Sequence, residues 1–415
     1  MTAGRMTETR TSLIGAFLVA LGPISMALYT PAMPELVEAF GTTESMIKLT
    51  LSLYFGGFAC AQLVSGTLSD AFGRRPVTIA FMIIYLIGSL MSAFAPTVEV
   101  LIAGRVVQGI GASAGMTVAR AIVRDQFTGN KSAAIMNLMG MMLSIGPALA
   151  PTIGSLAMGA FGWQAIFAVM VVMSIAACLI VFFAMEETTV PDRTKARPGP
   201  ILASYCEILT DLRFVSGSLV MSAAVGVLYT LASVLPFVLI DRVGLTPLQF
   251  GMGMLIPSGS YFLGSIVVRQ MLTRVGARRL VVPGLTIIMV GGAVLMAGIH
   301  FLPLSFTSIM APVAICAFGI AFVTPYMMTA AVAPFGHIAG TAAAMMGFIQ
   351  MASGLVGGII AAAIGEPVLA LKIVIPAFGV AAIASYLVYV AAIRANPISE
   401  MITPLRAKPE AGPAE

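Results

Sequence analysis

The chain has 415 residues, 59% of them hydrophobic and only 9% charged. A soluble domain carries about 25% charged residues, so the composition excludes an ordinary soluble protein and predicts an all-α chain that crosses a membrane many times. The formal net charge of +5 does not point to nucleic acid, because the basic residues lie between hydrophobic runs, where they act as topology signals.

A bilayer crossing needs about 20 apolar residues. Punctuated by Pro, Gly and charge, the sequence divides into spans near 12–33, 46–68, 77–95, 100–123, 134–158 and 163–184. A second set follows near 214–238, 248–270, 280–300, 305–330, 337–363 and 370–393. Arg5 and Arg10 precede the first run, which lacks a small-residue cleavage site. It therefore reads as a first helix and not as a signal peptide. The division predicts twelve transmembrane helices in two pseudo-symmetric six-helix bundles. Residues 1–185 form the first bundle, 186–213 a linker containing Pro191, Pro198 and Pro200, 214–395 the second bundle and 396–415 a tail.

Charge tests this count. With the N-terminus in the cytoplasm, 18 of the 22 Lys and Arg fall on that side. Lys48, Arg242 and Lys372 fall outside, and Arg105 alone lies deep in a span. This bias predicts that both termini are cytoplasmic. The halves also echo each other: Asp70-Ala-Phe-Gly73-Arg74-Arg75 and Thr273-Arg274-Val-Gly276-Ala-Arg278-Arg279 each follow the second span of their half. Parallel six-span halves around a central cavity are one transporter plan.

In the second-to-third connection, Gly66-Thr-Leu-Ser69-Asp70-Ala-Phe-Gly73-Arg74-Arg75-Pro76 places an acid at one helix end and two arginines at the next. Gly73 permits the tight turn, and Asp70, Arg74 and Arg75 can latch helix ends on the cytoplasmic side. In the fourth span, Arg105 and Gln108 stand three residues apart and share a helix face. A guanidinium in hydrocarbon costs at least about 2.5–3.5 kcal/mol, so Arg105 predicts a polar cavity or partner, and with Gln108 a binding or coupling site. The fifth span carries Gly146, Pro147, Pro151 and Gly154, which bend a helix and let neighbours approach. Tyr29, Tyr54, Tyr229, Tyr261, Tyr326 and Gln350 are polar groups within spans, suited to lining a cavity or an interfacial belt. Methionines such as Met136, Met139, Met141 and Met142 suit a promiscuous cavity or ordinary core filling.

Two enzyme-like patterns carry no catalysis. Gly111-Ala-Ser113-Ala-Gly115 lies inside a span, whereas a nucleophile elbow needs a strand-to-helix turn and a histidine partner. Gly109-x-Gly111 has no βαβ context. Cys60, Cys178, Cys206 and Cys316 show no metal or disulfide spacing. No cofactor or metal site is expected.

The turn motif around Asp70 and Gly73 resembles the signature loop of the major facilitator superfamily, and Arg105-x-x-Gln108-Gly109-x-Gly111 resembles its helix 4 motif. Gly146-Pro147-Ala-Leu-Ala-Pro151-Thr-Ile-Gly154 resembles the helix 5 motif of antiporter-type exporters. Leu28-Tyr29-Thr30-Pro31-Ala32-Met33-Pro34, Leu49 to Tyr54 and Arg124-Asp125 are similar to the Bcr/CflA drug-efflux branch. The resemblance covers essentially the whole chain. It implies a monomer in a bacterial inner membrane that exports drug-like small molecules, with protons as the coupling ion. In that branch an aspartate commonly stands two residues before the helix 1 tyrosine, where this chain has Ala27. None of the seventeen acids is placed at mid-membrane, so the family label implies proton antiport while the residues supply no obvious carrier. The alternative expectation is a facilitator or exporter of a specific metabolite, driven by its own gradient.

Overall fold

The computed structural model describes residues 6–395; Arg5 and the tail 396–415, with Arg406 and Lys408, lie outside the described residues. The described chain is helical throughout, without strands. The first half holds α1 (Glu8–Tyr29), α2 (Met33–Ala39), α3 (Glu44–Phe72), α4 (Arg74–Ala93), α5 (Val98–Gln126), α6 (Gly129–Phe161) and α7 (Gln164–Ala184). A short amphipathic α8 (Pro198–Thr210) follows. The second half holds α9 (Leu212–Pro236), α10 (Pro247–Gly253), α11 (Leu255–Val275), α12 (Val281–Phe301), α13 (Phe306–Val332), α14 (Ala339–Ile364) and α15 (Pro367–Ala395).

Eleven stretches are long and apolar enough to cross a membrane, and one of them, Phe306–Ile364, contains both α13 and α14. The twelve expected crossings are therefore present, with ends within a few residues of the sequence reading. The helix starts follow capping chemistry. Thr7, Thr43 and Thr97 accept backbone N–H groups of α1, α3 and α5, and Glu8, Glu44 and Glu99 stand in those first turns. A hydroxyl satisfies an orphan donor there, and an acid favours the positive helix end. The repeat seen in sequence has a backbone counterpart: Gly73 and Gly276 each end a helix at positive φ, 103° and 83°.

Two large hydrophobic clusters form, one running from Met6 to Met185 and the other from Ile208 to Ile393. Phe237, Ala232 and Met351 of the second half join the first cluster, and Tyr229 and Phe348 pack against both. The halves meet along α3 and α14 and where α6 meets α10 and α11. Most basic residues, including Arg10, Arg74, Arg124, Arg213 and Arg278, stand at one end, here called the basic end. At the opposite end the Ser45 hydroxyl donates to the Ala362 carbonyl at 2.7 Å, and the Ser155 hydroxyl to that of Pro247 at 2.7 Å. Toward the basic end α6 and α11 present exposed faces, including Met141, Ile145, Phe262 and Ile266.

Candidate functional site

Glycines bring α5 into its neighbours. A Cβ on Gly109 would collide with the Tyr54 carbonyl of α3, and one on Gly111 with the Tyr85 backbone of α4. This close approach places Arg105 inside the first half. Its Cζ lies 4.4 Å from the ring centroids of both Tyr29 and Tyr54. One nitrogen donates to the Gln108 amide oxygen and lies 3.9 Å from the Met170 sulfur. The Gln108 amide donates in turn to the Ser89 hydroxyl at 2.8 Å. The tyrosines are themselves anchored, Tyr29 to the Thr50 hydroxyl at 2.6 Å and Tyr54 to the Gly22 carbonyl at 2.9 Å. Two aromatic faces thus take the place of a carboxylate around the cation. Nε and Nη2 of Arg105 remain without a hydrogen-bond partner.

Arg105, Gln108, Tyr29 and Tyr54 come together, and all four are fully enclosed in the first half. Helical spacing identifies a shared face. Which neighbour that face meets depends on how the other helices pack.

Of the remaining polar candidates, Tyr229 and Gln350 meet at the boundary between the halves. The Gln350 amide of α14 donates to the Tyr229 hydroxyl of α9 at 3.2 Å, and the Tyr229 ring lies 4.9 Å from that of Phe55 on α3. Gly354 leaves room for this stack, since a Cβ there would stand 3.0 Å from Phe55 and 3.1 Å from Tyr229. Met141 stands on the exposed face of α6 and joins neither group.

The turn motif is tied to the first half and to the start of the linker. Arg74 pairs with Asp70, reaches Asp125 of α5 at 2.9 Å and donates to the Ser69 hydroxyl at 2.7 Å. Arg75 donates to the Phe182 carbonyl of α7 at 2.5 Å. The backbone N–H groups of Arg74 and Arg75 donate to the Glu187 carboxylate, at 2.9 and 3.1 Å. Gly73 makes room for that carboxylate, because a Cβ there would stand 2.6 Å from it. Gly66 lies one turn before Ser69 and accepts its hydroxyl at the carbonyl. Asp125 is engaged by Arg74 and the Thr188 hydroxyl. Sequence reasoning missed Glu187, which lies 113 residues from Arg74.

The fifth-span motif serves two contacts. Gly146 faces Ile24, and a Cβ on Gly154 would collide with the Leu28 carbonyl, so α6 lies close along α1. Pro151 presents its carbonyl to Gly251 of α10, and the Ser155 hydroxyl also donates to it. Pro147 and Pro151 lie inside α6, where each removes one helical hydrogen bond.

A further cluster at the opposite end went unread. Lys48 is fully buried, donates to the Gly365 carbonyl at 3.0 Å, pairs with Glu44 at 3.4 Å and lies over the Phe237 ring. Glu44 also pairs with Arg242 of the second half at 3.1 Å. Only the i,i+4 spacing of Glu44 and Lys48 was visible in sequence. Near α8, burial pushes the Tyr205 phenol up to about 12, and its hydroxyl donates to the Leu63 carbonyl at 2.5 Å. Burial would raise the Asp211 carboxyl, but hydrogen bonds from Arg213 hold it below the usual range. Among the described residues no group of His, Cys, Asp and Glu could hold a metal ion.

A family model described as Major Facilitator Superfamily matches residues 15–362. The chain is 28% identical over 358 residues to multidrug resistance protein MdtL of Citrobacter koseri, covering 86% of this chain and 90% of that one. It is 29% identical over 361 residues to the uncharacterized MFS-type transporter YdgK of Bacillus subtilis, covering 84% and 86%. Among solved structures, a bacterial homologue of the human lysosomal transporter Spinster, inward-facing and unoccupied, superposes with a TM-score of 0.71 at 15% identity, covering 93% and 97%. The human organic anion transporter MFSD10 superposes with a TM-score of 0.66 at 18% identity, covering 93% and 100%.

Proposed function

From the premise that this chain belongs to the Major Facilitator Superfamily, and is a transporter rather than an enzyme, we propose that it exports amphipathic, drug-like small molecules across a bacterial inner membrane. The observation that carries this reading is the boundary group of Tyr229, Gln350 and Phe55. It offers aromatic faces and one amide where the two halves meet, the mixture of apolar walls and few polar groups that small-molecule sites use. The names of the MdtL relatives support the substrate class.

In this reading residues 1–185 and 214–395 rock as two bundles, joined by the linker 186–213, with both termini in the cytoplasm. The basic end is then cytoplasmic. The contacts at the opposite end close the path to the outside, and the splayed α6 and α11 faces open the path from within. Arg105 and Gln108 brace the first bundle beside the site. Asp70, Arg74 and Arg75 hold its cytoplasmic helix ends together, and Gly146, Pro147, Pro151 and Gly154 shape its moving face.

A second reading, a facilitator or exporter driven by the substrate's own gradient, draws support from the acids. Every described Asp and Glu stands near a helix end or in a connection, so no mid-membrane carboxylate is available to carry a proton. A compound-sensitivity panel in cells lacking other efflux pumps tests export. Resistance to several amphipathic compounds conferred by this chain, and lost in Tyr229→Ala, supports it; an unchanged panel overturns it.

A further inference from the structure

The fixed charges inside the bundle are all of one sign. Between the level of Asp70 and Asp125 at the basic end and that of Glu44 at the opposite end lie Lys48, one turn inside Glu44, and Arg105 and Arg120, and no carboxylate among the described residues. The two arginines differ in one respect. Arg105 is sealed, with Nε and Nη2 buried. Arg120 lies deep in the protein but is only half-buried. It makes no hydrogen bond or ion pair among the described residues, and none of its nitrogens is a buried orphan like those of Arg105. Its guanidinium therefore borders open space.

Helical register says which space. Met116, Arg120 and Arg124 follow one another at i, i+4 and i+8 on α5, so they share a row. Met116 lies by the Gln62 amide of α3, 4.0 Å from its sulfur, and Gln62 fills the space beside Gly347 of α14. At the other end of the row, a Cβ on Gly340 of α14 would stand 3.5 Å from the Arg124 guanidinium. Arg120 falls between, on the α5 face that looks toward the second half. The α14 residues at this level, Gly340, Ala343, Ala344 and Gly347, are small. A cation without a counter-ion, facing small residues across a boundary, is a place for an anion.

We propose that Arg120 receives the acidic group of an amphipathic, monoanionic substrate from the cytoplasmic side, and that the membrane potential drives its export. This rests on the export reading above and narrows its substrate class. The charge balance is complete without a proton: each turnover moves one negative charge out of an inside-negative cell. At about 2.3 kcal/mol per 100 mV, that sustains a gradient of roughly 45-fold. A bundle whose interior holds cations and no carboxylate favours an anion in transit and needs no proton carrier.

The test uses the full chain and a matched pair of probes, anilinonaphthalene sulfonate and its uncharged parent phenylnaphthylamine. In nanodiscs of phosphatidylcholine, Arg120→Gln is expected to weaken sulfonate binding about tenfold more than phenylnaphthylamine binding, and Arg120→Lys to restore part of the difference. In proteoliposomes with an imposed potassium–valinomycin potential, sulfonate flux is expected to rise with potential and to ignore a protonophore. Equal loss of both probes in Arg120→Gln would make the residue merely structural and overturn the assignment. So would undiminished sulfonate binding. If phosphatidylglycerol in the nanodisc displaces the sulfonate through Arg120, the anion is a lipid headgroup and the substrate assignment falls. Sulfonate flux that is blind to potential overturns the driving force. If neither probe is moved, the export reading fails for both, and the Arg120 assignment is still decided by the binding ratio.

Discussion

Glu44 and Arg242 form a 3.1 Å ion pair although 198 residues separate them in the chain. The pair joins the first turn of α3 to the π-helical turn that prolongs α9, so it holds the two halves together at the end opposite the basic one. Both side chains are partly exposed, and such a pair is worth about 0–1 kcal/mol. Arg242→Ala is expected to shift the population toward opening at this end by up to about fivefold. Spin-label distances between α3 and α14 at that end measure the shift, and added salt should mimic it, since screening weakens exposed pairs. Unchanged distances would mean that Ser45, Lys48 and Ser155 close this end by themselves.

Arg105 holds the first half together through rings and an amide. Arg105→Ala is expected to reduce transport by about a hundredfold, ~2.7 kcal/mol at 1.36 kcal/mol per decade. Membrane insertion should stay intact, because removing a cation from a span lowers the insertion cost. Arg105→Lys should rescue poorly, as an ammonium lacks the planar fork that stacks on Tyr29 and Tyr54 while donating to Gln108. Initial rates in proteoliposomes, normalised to inserted protein, decide this. Full activity of the alanine variant would leave Arg105 with no role in transport.

Asp70→Asn removes one of two acidic partners of Arg74, and Asp125 at 2.9 Å stays. The loss is expected to be about 1 kcal/mol, a roughly fivefold slowing of transport. Substrate affinity should not change, because Tyr229 and Gln350 stand on other helices and Phe55 lies about 22 Å along α3 from Asp70 at 1.5 Å per residue. Asp70→Asn together with Asp125→Asn should slow transport further than either alone. A collapse of affinity with unchanged conformational rates would contradict the latch role.

Gly154 and Gly159 make a matched pair on α6. A Cβ at Gly154 would run into the Leu28 carbonyl, whereas nothing lies within 4 Å of one at Gly159. Gly154→Ala is expected to lower the melting temperature in detergent and to reduce transport. Gly159→Ala should leave both unchanged or raise stability by up to about 1 kcal/mol, the helix propensity difference. Equal melting temperatures would show that α1 and α6 separate without cost.

Ala27 stands two residues before Tyr29, whose ring covers Arg105, and is buried. The unmodified chain is expected to show weak or absent proton coupling with uncharged substrates. Ala27→Asp should then create dependence on an imposed pH gradient, because an opposite charge nearby favours the carboxylate while burial opposes it, a balance that permits proton exchange. Proteoliposome uptake with and without a protonophore reads the change. Concentration of a neutral substrate by the unmodified chain using protons alone would show that another carrier exists.

The number of crossings, the halves and the helix starts were legible in the sequence. Hydrophobic length, punctuation and charge asymmetry act locally and leave their record in short stretches of chain. The pairing of Arg105 with Gln108 was legible for the same reason, since three residues along one helix determine a shared face. What surrounds that face was decided only by the tertiary structure. Tyr29, Tyr54 and Met170 come from three other helices, and the glycines of α5 determine how near they come. The same holds for Glu187 beneath α4, for the burial of Lys48 between the halves and for the open space at Arg120. A charge in the sequence looks alike whether it sets topology, closes a gate or awaits a ligand. Only the packing of distant helices separates these fates, because burial and partners belong to the assembled bundle and not to any one segment.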